Sequence, residues 1–454
     1  MTTNEQLERH LTLSAAVAVV VAEVIAVGIF LAPSAMIGLL GSPLAVFGVW
    51  LGMGLMALSG ALTYAELAVR YPRAGGPYVY LREAFGRDAA FLYGWMSLMV
   101  MDPGVTAALA LGLSEYAAYA LSLSVLQAKI IAVGSILLLA GANIFGARMG
   151  ASTVKTLAAL KVLLIIVIVA WSFGSGAGNW SHFAGAAAGP PGHSFWASVG
   201  GAFVLAFFAY GGWWDLSKLA GEVVDPARTI PRALVLGIGM ITLFYLLLTA
   251  AFLYTVPPGQ GGSGEAFGAE VGRRLFGASG ARIVAGMVVV SIVGSMAGVL
   301  FAAPRVYFAM GRDRLFLPAI GRLNSRFGTP VAAIGIQAAL ASVMVAWSTF
   351  AQLVGYFVFV AVIFIGLGAA SVFVLRKRVS RPVAYLAWGY PLTTVVFLGC
   401  VVGLAGLLFI DNPIRSLVGL FVVALGWPAR RLMERAGRER RPSERTAGRG
   451  DAVC

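Results

Sequence analysis

Apolar residues run through this chain in long, nearly unbroken stretches, set apart by short clusters of arginine, proline and glycine. Twelve stretches have roughly the 17 to 25 residues that carry a helix across a bilayer, beginning near residues 13, 44, 89, 128, 154, 195, 233, 281, 331, 351, 388 and 413. The ten-residue alternation of a transmembrane barrel is absent. The pattern predicts an all-α polytopic membrane protein with twelve transmembrane helices. Two stretches are interrupted. The first reads Ala22-Glu23-Val24-Ile25-Ala26-Val27-Gly28-Ile29-Phe30-Leu31-Ala32-Pro33, and the sixth reads Phe207-Phe208-Ala209-Tyr210-Gly211-Gly212-Trp213-Trp214. Glycine loosens a helix and proline withholds a backbone donor, so amides and carbonyls there can turn toward a bound molecule. A membrane segment tolerates this only where protein or a polar cavity shelters it, and paired interruptions in two halves of a chain point to a transport site. Close helix packing at Gly211-Gly212 is the plainer alternative.

Composition narrows the class. Of 454 residues, 59% are hydrophobic and 11% charged, against about 45–50% and 25% in soluble domains, which excludes a soluble globule. The net charge of +14 does not call for nucleic acid, because the basic residues sit in short loops and a tail. With the amino terminus in the cytoplasm, only Lys129, Arg273, Arg274, Arg282 and Arg415 face outward and Lys161 lies within a segment. That bias predicts both termini in the cytoplasm and an integral protein of a bacterial inner membrane. Glu5 and Glu8 beside Arg9 are not the positive start of a cleaved signal peptide. Cys400 and Cys454 offer no disulfide framework, and three histidines suggest no metal site; no cofactor is expected. The expected organisation is a cytoplasmic stub over 1–12, a transporter domain over 13–428 and a disordered basic tail over 429–454, in which Arg430 to Cys454 holds eight arginines and four acids.

Charge inside the apolar segments is where chemistry is expected. An ionised carboxylate at that depth costs about 2.5 to 3.5 kcal/mol on insertion scales, so it must face a cavity, find a cation or hold a proton. Glu23 precedes the first interruption, and Asp102 stands beside Pro103-Gly104 in the third segment, the deepest of the acids by position. Asp215 follows the second interruption in a stretch expected to continue as helix through Glu222. Lys155 in the fifth segment can snorkel to an interface, whereas Lys161 cannot and needs Glu23 or the freed carbonyls of the first segment as partners.

Further motifs occur in a fixed order. Glu66 through Gly86 contains Tyr71-Pro72, Gly75-Gly76, Tyr78-Val79-Tyr80-Leu81 and Ala84-Phe85-Gly86; later come Asp225-Pro226, Ile230-Pro231-Arg232, Thr329-Pro330, Arg376-Lys377-Arg378 and Gly389-Tyr390-Pro391. With Phe208-Ala209-Tyr210-Gly211-Gly212-Trp213, this set resembles the amino acid, polyamine and organocation transporters, and within them the L-type amino acid transporter branch, over roughly residues 12 to 428. The resemblance implies a LeuT-like inverted five-plus-five helix repeat with helices 1 and 6 broken, repeats at about 13–175 and 195–376, and two added helices at about 388–428. It implies that the amides of Ala26, Val27 and Gly28 receive a substrate carboxylate, and that the carbonyls of Val24, Phe208, Ala209 and Gly211 accept from its ammonium. It also implies that Lys161 stands in for a sodium ion. Ala26-Val27-Gly28 departs from the family's usual Gly-Ser-Gly, Glu23 and Asp102 are atypical acids, and Trp214 stands where asparagine is common.

The expectation is a secondary transporter, not an enzyme: a sodium-independent carrier of neutral amino acids working by exchange or proton symport, with Lys161, Glu23, Asp102 and Asp215 in coupling or gating. A carrier of cationic amino acids or polyamines, and a sensor that binds without transport, are the alternatives. The partners expected are a small amino acid and the lipid bilayer. No cysteine in a suitable outer loop offers a disulfide to an accessory subunit.

Overall fold

A computed structural model describes residues 7–184, 194–258, 260, 265–378 and 383–439. Among them there is no strand, only a single backbone bridge between Leu11 and Val223. Ten helices are long and apolar enough to cross a membrane, and one bent pair makes eleven. The segment predicted from residue 331 forms a shorter apolar helix, Val331–Trp347, of 17 residues. The full set of twelve long spans is therefore not seen.

The bent pair is the first predicted segment. α1 (Leu13–Val24) and α2 (Gly28–Leu40) meet at 46° across Ile25, Ala26 and Val27. Pro33 lies inside α2 rather than at the break. The break is placed by packing: a Cβ on Gly28 would stand 2.8 Å from the Cα of Ala209, so only glycine lets the two interruptions touch. Five helices follow: α3 (Pro43–Arg70), α4 (Pro77–Phe85), α5 (Arg87–Met96), α6 (Asp102–Leu121) and α7 (Val125–Ile144). Ser42 caps α3 at its proline start. A widened turn over Ser97–Met101 separates α5 from α6, just before Asp102-Pro103.

α8 (Ala147–Gly174) and α9 (Phe195–Tyr210) lead to the second interruption. Beyond it the chain does not continue as α-helix through Glu222, as the sequence suggests. Gly212 adopts φ +118°, and tight 3-10 turns run from Trp213 to Leu219 before α10 (Pro226–Thr255). Glycine alone takes that φ without strain, and it redirects the chain. The remaining helices are α11 (Glu265–Phe276), α12 (Gly280–Ala302), α13 (Pro304–Arg312), α14 (Val331–Trp347), α15 (Phe350–Arg378), α16 (Leu392–Asp411), α17 (Pro413–Ala424) and α18 (Gly426–Glu439).

α1 packs against α8, α10 and α12, and α2 against α9, so both interruptions lie inside the bundle. Large apolar side chains such as Leu138 on α7, Leu163 on α8, Val402 and Ile410 on α16 face outward, as lipid requires. Cys400 is exposed on α16, and Cys454 lies outside the described residues. The basic tail does not lose structure at residue 429. α18 extends to Glu439, where Arg430 pairs with Asp88 and Arg431 lies over the Trp427 ring; residues 440–454 lie outside the described part.

One end of the bundle is laced by arginines. Glu66 gathers Arg70, Arg376 and the amide of Ala387, joining α3 to α15. Asp313 accepts from Tyr78 and Arg82, and Asp313 together with burial raises the Tyr78 hydroxyl pKa well above its ordinary value. At the same end, the amides of His10 and Leu11 both donate to the Glu222 carbonyl at 2.9 Å, and the Val224 amide returns to Leu11 at 3.0 Å. Arg305 grips the buried Glu222 carboxylate with two bonds of 2.7 and 3.1 Å.

Candidate functional site

The two interruptions enclose a cavity of about 90 Å³, room for several water molecules or one small solute. From α1 and α2 it is lined by Glu23, Val24, Ala26 and Gly28; from the second interruption by Phe207, Phe208, Ala209, Gly211, Gly212, Trp214 and Asp215. α6 with the turn before it contributes Met101, Asp102, Val105 and Leu109, α12 contributes Val299, and α15 contributes Phe357, Val358 and Ala361. Of the residues singled out from sequence, Val27 is buried at the break outside this lining, and Lys161 stands behind it.

The backbone at the first break is polarised. Among the described residues no backbone acceptor receives a bond from the amides of Ala26, Val27 or Gly28, which open α2. Free amides at a helix start, with the dipole behind them, make an anion seat. The carbonyls ending α1 are occupied. Lys161 donates to Ala22 at 2.7 Å, to Ile25 at 2.5 Å and to Ser295 at 3.0 Å, and Ser291 and Ser295 of α12 add bonds to the same carbonyls. Of the two partner types foreseen for Lys161, the carbonyls hold it and no hydrogen bond joins it to Glu23. α8 packs against α1 and brings the lysine to these carbonyls, outside the cavity lining. The Tyr245 hydroxyl, missed in the sequence, lies 3.0 Å from the Val24 carbonyl and 2.6 Å from that of Ala209, bridging the two breaks.

On the other side of Glu23 lies a second lysine. Lys218, fully buried, has its Nζ 3.0 Å from Asp102 Oδ1 and 2.9 and 3.0 Å from the two oxygens of Asp215. The other Asp102 oxygen accepts from Tyr307 at 2.7 Å and from Ser97. Glu23 and Asp215 line the same cavity, and no hydrogen bond reaches either Glu23 oxygen among the described residues. Lys218 was legible in Asp215-Leu216-Ser217-Lys218 as an i, i+3 acid–base pair, a spacing that the tight turns preserve; Tyr307 carried no such signal. α12 makes room for both charged groups. A Cβ on Gly298 would lie 2.6 Å from Glu23 Cγ, and one on Gly294 would lie 2.9 Å from Lys161 Cε.

A helical membrane protein with a central cavity between two broken helices, and with ends of helix backbone turned into it, is built as a solute carrier. The family model described as amino acid permease matches residues 11–426, and the chain belongs to that family. It is 31% identical over 383 residues to the serine/threonine exchanger SteT of Bacillus subtilis (strain 168), covering 83% of this chain and 85% of the relative. The b(0,+)-type amino acid transporter 1 of Mus musculus is 30% identical over 390 residues, 83% and 78% of the two chains. The large neutral amino acids transporter small subunit 2 of Homo sapiens is 28% identical over 399 residues, 83% and 72%. The chain is thus an integral membrane transporter of the L-type-like branch, with amino acids as its substrate class, and not an enzyme.

Proposed function

We propose that the chain carries small neutral amino acids across a bacterial inner membrane by alternating access, without sodium, and with both termini and the arginine-laced end in the cytoplasm. The observation carrying this reading is the polarised break: the amides of Ala26, Val27 and Gly28 are left open for a carboxylate while Lys161 neutralises the carbonyls of Ala22 and Ile25 behind them. An ammonium fixed there supplies the positive charge that a bound cation would otherwise bring. The carbonyls of Phe208 and Gly211 offer acceptors to the substrate ammonium, and those of Val24 and Ala209 share theirs with Tyr245. Around the side chain the walls are apolar, from Met101, Phe207, Trp214 and Phe357, and the small volume suits a short side chain. The relatives named for serine and threonine exchange and for large neutral amino acids support the neutral class. No disulfide-linked subunit enters the proposal, since Cys400 faces outward from an apolar helix.

A cationic cargo is the second reading, favoured by the three carboxyl groups lining the cavity. Lys218 weakens it by occupying two of them. Uptake of labelled serine, alanine, leucine and arginine into liposomes holding the purified protein decides the matter, with sodium or choline outside and with internal amino acid present or absent. The expected outcome is serine or alanine counterflow equal in both salts and not inhibited by putrescine. Sodium dependence, or competition by arginine and putrescine alone, would overturn the proposal, and binding without flux would make the chain a sensor.

A further inference from the structure

The buried cluster beside the cavity is unequally satisfied. Asp102 is fully supplied, with Lys218 on one oxygen and Tyr307 and Ser97 on the other, as an ionised carboxylate needs. Asp215 receives Lys218. Glu23 receives nothing: it is 5% exposed, no donor among the described residues reaches either of its oxygens, and it lines the same cavity as the Asp215 carboxyl. Buried carboxyl groups crowded into one site do not all ionise together. Because Asp102 and Asp215 already share the Lys218 ammonium, the proton belongs on Glu23.

We infer that Glu23 is the proton-carrying group of this transporter and that Lys218 reads its protonation state by dividing its bonds between Asp215 and Asp102. The inference rests on the carrier reading above. The charges around Glu23 come from every side. Lys161 of α8 sits on the neighbouring carbonyls, Asp215 and Lys218 come from the turns after the second break, and Asp102 comes from α6. α10 brings the neutral Tyr245 hydroxyl to the same turn of α1, α13 brings Tyr307 to Asp102, and α12 presents only Gly298 and Ser295. With Glu23 protonated, two ammonium groups balance two carboxylates. When the proton leaves for water, Glu23 becomes a second anion against Asp215 and draws the Lys218 ammonium toward the pair. Asp102 then loses its cation, and the tie between the second interruption and α6 is released. Gly298 makes room for Glu23 on one side, and the cavity that Glu23, Asp102 and Asp215 line is the space into which its proton passes.

The test uses the full-length protein in liposomes, with the amino acid that shows counterflow. A proton gradient of one pH unit supports about tenfold accumulation at one proton per substrate. Wild-type protein is expected to accumulate substrate in empty vesicles under an inward gradient, and adding substrate should acidify a pH dye trapped inside. In Glu23→Gln the ratio of gradient-driven uptake to counterflow should fall about tenfold, and the pH dependence of counterflow should flatten. Wild-type counterflow with no acidification, which needs no variant to fold, would overturn the inference, as would an unchanged ratio in Glu23→Gln. Absence of any wild-type counterflow would instead sink the carrier reading, and the inference with it.

Discussion

Lys161 and Lys218 are both fully buried, both within reach of α1, and held in opposite ways. Lys161 bonds neutral carbonyls and a serine, groups whose charge no pH in the physiological range alters. Lys218 bonds two carboxylates, Asp102 and Asp215, that line one cavity with a third, Glu23. The first is an ammonium tied to helix backbone. The second is a movable one, because it has two carboxylates between which to divide its bonds. The same side chain thus serves as a strut in one place and as a balance in the other.

Removing each lysine should separate the two roles. Lys218→Met leaves Asp102 and Asp215 buried without their cation, a loss of about 3–5 kcal/mol. Thermal unfolding in detergent should show a large drop at neutral pH that shrinks as the pH falls and the stranded carboxylates take up protons. The double variant Asp102→Asn with Lys218→Met should recover part of the loss at neutral pH. Lys161→Met removes charged hydrogen bonds from the carbonyls of Ala22 and Ile25, costing about 2–3 kcal/mol. Neutralising a neighbouring acid should recover none of it, since carbonyls carry no charge to be relieved. A Lys161→Met loss that Asp102→Asn reversed would erase the contrast. Gly298→Ala should destabilise by about 1–3 kcal/mol through overpacking, because its Cβ would meet Glu23 at 2.6 Å. Gradient-driven uptake should suffer more than counterflow. Tyr245→Phe is the smallest change, about 1 kcal/mol for the lost bridge between the breaks, and should appear as a few-fold rise in KM. An unaltered KM would show that Tyr245 only braces the backbone.

Much of the fold was written in long apolar runs, because a bilayer allows a backbone little but helix. Glycine marked both interruptions for the same reason: Gly28 permits the contact with Ala209, and Gly212 takes a φ closed to other residues. The details that sequence missed are those decided by distant partners. Pro33 looked like a cause of the first break, but the break falls over Ile25, Ala26 and Val27, where Gly28 lets Ala209 approach, and Pro33 lies further on inside α2. Trp213 to Leu219 had helical composition and folded as tighter turns once Gly212 had redirected the chain. Lys161 and Glu23 were natural partners on charge alone, yet α8 offers the lysine to backbone while Glu23 lines the cavity with Asp215. The tail read as too polar to fold, but Trp427 and Arg430 find α18 a docking place near Asp88. Glu23, Asp102 and Asp215 were legible as buried acids; that Tyr307 and Ser97 complete one of them was not, since a tyrosine and a serine some 200 positions apart carry no shared signal.

The lacing of Leu11 to Glu222 and Val224 gives the molecule a reporter of its own. Three main-chain amides, those of His10, Leu11 and Val224, hydrogen-bond across that end of the bundle. Any excursion that swings α1 outward must free them, and none can be protected while it is swung. Their deuterium uptake therefore measures the fraction of molecules in which the contact of Leu11 with Glu222 and Val224 is open, in a protein with no label attached. Substrate and pH can then be ranked by how they change that fraction, so that a structural latch reads out a population.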